Sequence, residues 1–518
     1  MDQEFPPVFG IAYKWVAAVI VMIGTFMTLL DTTIVDITLP KMLSALNTDT
    51  YGIQWVVIAY MIGSAVAMTT VGWLGARTSY RFVYLVGFTL FVVTSALCGQ
   101  STNLEMMITA RLIQGIGEGL VVPISMTYLF LVFPKSEAGL AMGIYGLGAS
   151  FAPALGPTIG GFLTEHLNWR WIFYVNLPIG IIGLIMALAL LKPLRPEEDR
   201  PWPFDWIGFL LLTTSLGSLI TFISKGQEKG WIQSDFILIL IAVFVLSTIA
   251  FLVWELRQKN PVIDIRLFKD PMFTTSVIGL CFFSLTLYSV YFLMPMYMER
   301  LRGYPTLLSG LLLLPGTMAL GTALIIGGIL TDKTSPRAVA VLCLIGLTAG
   351  SYLLGTMDLY TPKLAIIGLF AMWGIPAGPL FPAFITGGLS RLRSSQVNMG
   401  SSIQNVMRLV AGSVATSLAV TILERKADAY YVLFSMHTNP GHLPFLLGFE
   451  RAVAGFQIKG SCLDMARVQA GALMNLYIKS HAYFVAYQAT FKIMALLALG
   501  ALPFMYLFKA GKGKRAAH

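Results

Sequence analysis

Apolar positions in this chain gather into long runs, and polar positions into the short stretches between them. Fourteen runs stand out: 15–39, 52–73, 82–99, 105–128, 138–163, 171–191, 205–224, 236–256, 273–298, 306–330, 338–356, 364–388, 398–424 and 483–508. Most are twenty residues or more, the length that crosses about 30 Å of hydrocarbon at about 1.5 Å per helical residue. The pattern predicts an all-α polytopic membrane protein with fourteen transmembrane helices. The first run is too long for a cleaved signal peptide, follows acidic residues and lacks a small-x-small cleavage site.

Composition narrows the classes. Of 518 residues, 56% are hydrophobic and 12% charged, against about 25% charged in soluble proteins. A disordered chain or an ordinary water-soluble enzyme is excluded. The formal net charge is +10, but the basic residues are distributed by loop. With the N-terminus inside, inner segments hold nineteen Lys and Arg and the short outer loops seven. The positive-inside rule then places both termini in the cytoplasm, and the basic residues read as a topology signal with no nucleic-acid partner. Residues 425–482 become a long outer segment. In it Asp464 is expected to cap a helix whose Met465, Val468, Ala472, Leu473 and Leu476 form an apolar stripe. Cys98, Cys281 and Cys343 lie in apolar runs and Cys462 in a loop, which gives neither a disulfide framework nor a metal site.

Two motifs recur in order. Residues 115–123 and 374–382 share the frame G-I-x-x-G-x-x-x-P at a spacing of 259. Residues 72–81 end in Arg-Thr-Ser-Tyr-Arg and residues 328–337 in Lys-Thr-Ser-Pro-Arg, at a spacing of 256. Parallel duplicated halves are a transporter architecture. The expected organisation is a first six-helix bundle over 1–191, linkers and two inserted helices over 192–271, and a second six-helix bundle over 272–518 that includes the outer segment.

Several stretches resemble the major facilitator superfamily, and within it the fourteen-span EmrB/QacA drug:proton antiporters. Leu30-Asp31-Thr32-Thr33-Ile34-Val35-Asp36-Ile37-Thr38-Leu39-Pro40 is similar to the first-span motif, and Arg111-Leu112-Ile113-Gln114-Gly115 to the fourth-span R-x-x-Q-G. Gly148 through Gly156-Pro157-Thr158-Ile159-Gly160-Gly161 resembles the fifth-span antiporter motif. The run from Trp169 to Gly180 resembles W-R-W-I-F-x-I-N-x-P-I-G. Trp254-Glu255-Leu256, Asn260-Pro261 and Leu267-Phe268-Lys269 resemble the entry to the second half. The chain departs from the pattern at Ala76, where an aspartate is usual and the second-half copy has Asp332, at Asp36 in place of Asn, and at Glu118.

Charges in the spans carry the candidate chemistry. A charged side chain near the bilayer centre costs about 2.5–3.5 kcal/mol on insertion scales, so it faces a cavity or a partner. The resemblance puts spans one and four around one cavity, so Asp31 and Arg111 are expected to pair, directly or through water. Arg111, Gln114 and Glu118 fall on one helix face at i, i+3 and i+7. Glu118 reads either as a proton site or as a buried hydrogen-bonding group. Asp36 reads as an interfacial group or a proton site. Arg408 reads as a binding group for cargo or a tie between helices. The proton-coupling candidates are therefore Asp31, Glu118, Arg111 and Asp36.

Tyr288, Tyr291, Phe292 and Trp373, with Gln114 and Arg408, are candidates for binding lipophilic cargo. Gly148, Pro153, Gly156, Pro157, Gly160 and Gly161, which the resemblance makes an outer-side seal, and Arg77, Arg81, Asp332 and Arg337 in the inner loops are candidates for gating. The chain has no G-x-S-x-G, H-E-x-x-H or P-loop motif, and its five His lie outside the spans, so no enzyme and no cofactor is expected. The resemblance implies a proton-driven exporter of lipophilic and amphiphilic compounds in a bacterial inner membrane, working with a periplasmic adaptor and a TolC-type outer-membrane channel. A more specific exporter, of fatty acids or a metabolite, or a proton-coupled importer is the alternative.

Overall fold

The structure is a computed structural model, and it describes residues 10–48, 52–195, 203–226, 228–259, 261–436, 443–506 and 508. The described residues form helices α1 (Tyr13–Ala45), α2 (Trp55–Arg77), α3 (Tyr80–Gln100), α4 (Leu104–Val132), α5 (Ala138–His166), α6 (Trp171–Tyr174), α7 (Asn176–Leu190), α8 (Trp206–Gly226), α9 (Asp235–Arg257), α10 (Pro271–Arg300), α11 (Thr306–Lys333), α12 (Pro336–Leu354), α13 (Lys363–Leu389), α14 (Ser394–Ser435), α15 (Leu443–Ile458) and α16 (Leu463–Leu499). Thirteen stretches among the described residues are long and apolar enough to cross a membrane, α6 with α7 making one of them. The fourteenth is α5, bent by 40° between Lys135–Pro153 and Thr158–His166. Pro153 and Pro157 sit at the bend, where proline removes backbone donors. The end of the bundle where α1 starts is called the base, and the opposite end the top.

The repeated motifs turn out to be structural. In the first, Gly115 and Gly119 let α4 lie directly on α2, and Gly374 and Gly378 let α13 lie on α11. A Cβ on Gly115 would stand 2.1 Å from the Tyr60 carbonyl oxygen, and one on Gly378 would stand 2.7 Å from that of Leu320. In the second, Ser79 caps α3 by accepting from Phe82 N at 3.2 Å, and Ser335 caps α12 by accepting from Ala338 N at 3.2 Å. Helices α1–α7 and α10–α16 are called here the first and second halves.

Helix α8 packs against α2 and α14 at the seam between the halves, where Ser417 Oγ donates to the Ile223 carbonyl at 3.0 Å. Helix α9 packs on α8 and leaves Ile239, Leu246 and Ile249 outward, as a lipid-facing helix does.

The segment over 425–482 is largely helical among its described residues. Helix α14 runs unbroken for 42 residues to Ser435 and α16 starts at Leu463, because no proline or glycine interrupts 424–435. The last apolar run continues past the end of α16 at Leu499 through a short 3-10 helix, Leu502–Tyr506. The expected cap is corrected: Cys462 occupies the cap position of α16 without a side-chain bond, and Asp464 lies in the first turn. The face of α16 that packs is Ala466 and Ala470 against Phe449, Ala452, Val453 and Phe456 of α15. Met465, Val468, Leu473 and Leu476 are exposed, because small residues permit the closer helix contact.

Candidate functional site

The expected pair forms. Arg111 and Asp31 are fully buried, and Arg111 Nη1 donates to Asp31 Oδ2. The same nitrogen donates to Gln114 Oε1 at 2.8 Å, and Nε to the Val56 carbonyl at 3.3 Å. The guanidinium lies over the Tyr60 ring, 3.9 Å from its centroid, a contact that favours a desolvated cation.

Asp31 collects further donors. Gln114 Nε2 reaches its Oδ1 at 3.3 Å and Asn176 Nδ2 at 3.0 Å. Ser95 Oγ receives Gln114 Nε2 at 2.8 Å and Asn176 Nδ2 at 2.9 Å, which fixes both amides. Helix α7 supplies Asn176 just after the break that separates it from α6. Asp31 thereby accepts from three residues, one of them the Arg111 guanidinium, whose bond is charge-assisted.

Glu118 is different. It is buried on the same face of α4, one turn toward the base, and its Oε2 has no hydrogen-bond partner. Gly119 and Gly63 bring α2 onto this face, so that Tyr60 and Ser64 flank the carboxyl. Arg408 of α14 is the cation that acts on it from the second half.

Arg408 is buried and meets neutral partners: Nη1 donates to Tyr288 Oη at 3.0 Å and Nη2 to Asn405 Oδ1 at 3.2 Å, while Nε is unpartnered. Tyr291 Oη donates across the seam to the Ser150 carbonyl at 3.2 Å, and its ring meets Trp373 edge-on with centroids 5.8 Å apart. Trp373 is fully buried and stacks on Phe370. Phe292 is exposed and stands apart from this group. The Asp36 side chain lies outside the described residues, as does that of Pro157.

Among the gating candidates, Asp332 joins the halves by accepting from Gly139 N at 2.6 Å and Leu140 N at 2.9 Å, at the start of α5. A carboxylate at a helix N-terminus is a favoured placement. The arginines have partners in their own halves: Arg77 lies over Trp73, Arg81 Nη2 donates to the Leu188 carbonyl at 2.5 Å, and Arg337 lies over Tyr506. In the glycine–proline run, Gly156 and Gly160 seat α5 against Thr33 and Ile34 of α1, and Gly148 faces Met22. Thr33 Oγ1 donates to the Pro153 carbonyl at 3.0 Å. Thr158, within that run, lies against α11 at Gly310. Buried Gly161 lies beside it.

The sequence reading singled out neither Asn176 nor Ser95, although Asn176 stood inside the quoted W-R-W-I-F motif. It also passed over Asn398, Ser401 and Asn405 on α14. Their signal was available: with Arg408 they repeat at steps of three, four and three in an apolar span, as the α4 stripe does.

The family model of the Major Facilitator Superfamily matches residues 21–416. This chain belongs to the Major Facilitator Superfamily. Among curated relatives it is 30% identical over 466 residues to the uncharacterized MFS-type transporter YhcA of Bacillus subtilis, covering 90% of this chain and 86% of that protein. It is 28% identical to the multidrug export protein EmrB of Haemophilus influenzae, over 98% of both chains. Among solved structures, the human organic anion transporter MFSD10 shares the fold with a TM-score of 0.57 at 14% identity, over 95% of this chain and 99% of that one. Membership of this family makes the chain a transporter and not an enzyme.

Proposed function

We propose that this transporter is a proton-driven antiporter that exports lipophilic and amphiphilic compounds by alternating access. The reading places it in a bacterial inner membrane with the base of the bundle and both termini in the cytoplasm. One observation carries it: two buried carboxyls lie on one face of the first half, Asp31 accepting from three residues and Glu118 with an unpartnered oxygen. Asp31 with Arg111 is then a fixed anchor, and Glu118 the group that gains and loses the proton. Protonation at such a site must differ between the outward-open and inward-open states if it is to drive exchange.

The aromatic group of Tyr288, Tyr291 and Trp373 offers an apolar wall with polar tips beside Arg408, suited to amphiphilic cargo. Helices α14 and α16 reach beyond a bilayer: 42 residues correspond to about 63 Å of helix. The exposed apolar side chains Met465, Val468, Leu473 and Leu476 at this projecting end suit a periplasmic adaptor leading to a TolC-type channel.

The test is purified full-length protein in liposomes with an imposed pH gradient and ethidium as cargo. Ethidium should move against its own gradient, and a protonophore should abolish that movement. Equal ethidium movement with and without the gradient overturns the reading.

A further inference from the structure

The base of the inserted pair α8 and α9 holds two carboxylates that take no part in the transport site. Asp205 opens α8: its Oδ1 accepts from Gly208 N at 2.9 Å, and Trp254 Nε1 of α9 donates between its two oxygens, 3.0 Å from each. Glu255, the next residue on α9, points to the same place. A Cβ on Gly208 would stand 2.6 Å from Asp205 Oδ2 and 2.8 Å from Glu255 Oε1. The two carboxyl oxygens therefore border one gap, kept open by the missing side chain of Gly208. The rings of Trp73 and Phe204, with centroids 4.9 Å apart, tie this corner to α2.

Glu255 is 2% exposed, and neither of its oxygens has a partner at hydrogen-bonding geometry. A carboxyl buried in this way takes a counter-charge or a proton. It also sits in the last turn of α9, where the helix dipole is negative and favours a cation. The basic side chains of this corner are engaged elsewhere or exposed. Arg266 Nη2 donates to the Leu256 and Gln258 carbonyls at 3.4 and 2.8 Å, Arg77 lies over the Trp73 ring, and Arg257 and Lys259 are exposed. From the linker, the backbone of Val262 and Ile263 and the carboxylate of Asp264 border the glutamate. Asp264 adds negative charge, its Oδ1 accepting from Arg266 N at 3.0 Å. Asp205 is half-buried, so the gap opens past it to the base.

We infer that Asp205 and Glu255 bind a hard divalent cation, Mg²⁺ by its chemistry, where α8 begins and α9 ends. The donors are carboxylate oxygens without thiol or imidazole, a set that suits Mg²⁺ better than Zn²⁺. Among the described residues no third His, Cys, Asp or Glu joins the pair as a ligand. The ion therefore keeps most of its water, as Mg²⁺ does when one or two carboxylates hold it, whereas Ca²⁺ gathers more protein oxygens. Bound there, it joins the start of α8 to the end of α9 and fastens the inserted pair where the chain leaves it for the second half.

The test uses the full-length protein in a neutral detergent, stripped of metal with a chelator that is then dialysed away, and Mn²⁺ as the paramagnetic stand-in for Mg²⁺. The protein should withdraw one Mn²⁺ per chain from the electron paramagnetic resonance signal of the free ion, and excess Mg²⁺ should return it. Glu255→Gln should weaken this binding about tenfold or more. Gly208→Ala, which fills the gap and keeps both carboxylates, should weaken it as well. Glu105→Gln, which removes an exposed carboxylate at the top, should bind as the unmutated chain does. Mg²⁺ should also raise the thermal midpoint of the unmutated protein, a readout that needs no variant. Absence of Mn²⁺ binding that Mg²⁺ reverses overturns the inference, as does unweakened binding by either Glu255→Gln or Gly208→Ala. No transport is measured, so a failure here leaves antiport standing.

Discussion

Asp31 and Glu118 are both buried carboxyls on the contacting helices α1 and α4, yet their surroundings assign them different work. Asp31 accepts from Arg111, Gln114 and Asn176, and removing its charge strands a buried guanidinium. Breaking a buried pair from one side costs about 3–5 kcal/mol. Asp31→Asn should therefore lower the thermal midpoint of the purified protein by several degrees and abolish gradient-driven ethidium transport, even in the fraction that stays folded. Glu118→Gln removes no hydrogen bond from Oε2. It should leave the thermal midpoint nearly unchanged and flatten the pH dependence of transport. A pH profile like that of the unmutated protein would return Glu118 to a structural role. Sequence reasoning reached both residues because a charge in an apolar run is visible without coordinates. It foresaw the pairing of Asp31 with Arg111 but not the amide of Asn176, because α7 is distant in sequence.

At the scale of elements, glycine decides which helices touch. Gly63, Gly115 and Gly119 hold α2 and α4 at backbone contact, and each missing Cβ would meet a carbonyl oxygen at 2.1 to 2.3 Å. That contact sets Tyr60 over Arg111. Gly115→Val should force the helices apart, and yield of folded protein and thermal midpoint should both fall, as overpacking typically costs about 1–3 kcal/mol or more. Gly217→Ala on α8, where nothing lies within 4 Å, should leave both unchanged and serves as control. The repeated G-I-x-x-G frame was legible as a repeat, but its meaning as a packing surface needed the neighbouring helix. The same limit explains the boundaries of α14 and α16. Charged residues such as Glu424, Arg425 and Lys426 mark where a membrane stops, yet a helix continues through them in water. The fourteen apolar runs became fourteen spans because hydrocarbon leaves backbone polar groups no alternative to helix, whereas the exposed stretches obey no such constraint.

At the scale of the whole molecule, transport by alternating access requires the seam at the base to part in every cycle. The hydroxyls of Thr127 and Ser401 lie 2.7 Å apart, one on each half, so cysteines at both positions would place sulfurs within bonding reach in the closed state. Among the native thiols Cys98 and Cys343 are buried and Cys281 is partly so, which leaves Cys462 at the far end of the molecule as the accessible one. Thr127→Cys with Ser401→Cys, made on a cysteine-free background, should transport ethidium when reduced, stop when oxidised and recover on adding a thiol. Each single cysteine should transport in both conditions. Undiminished transport with the disulfide formed would mean that cargo crosses without the base opening, and two rocking halves would no longer describe this protein.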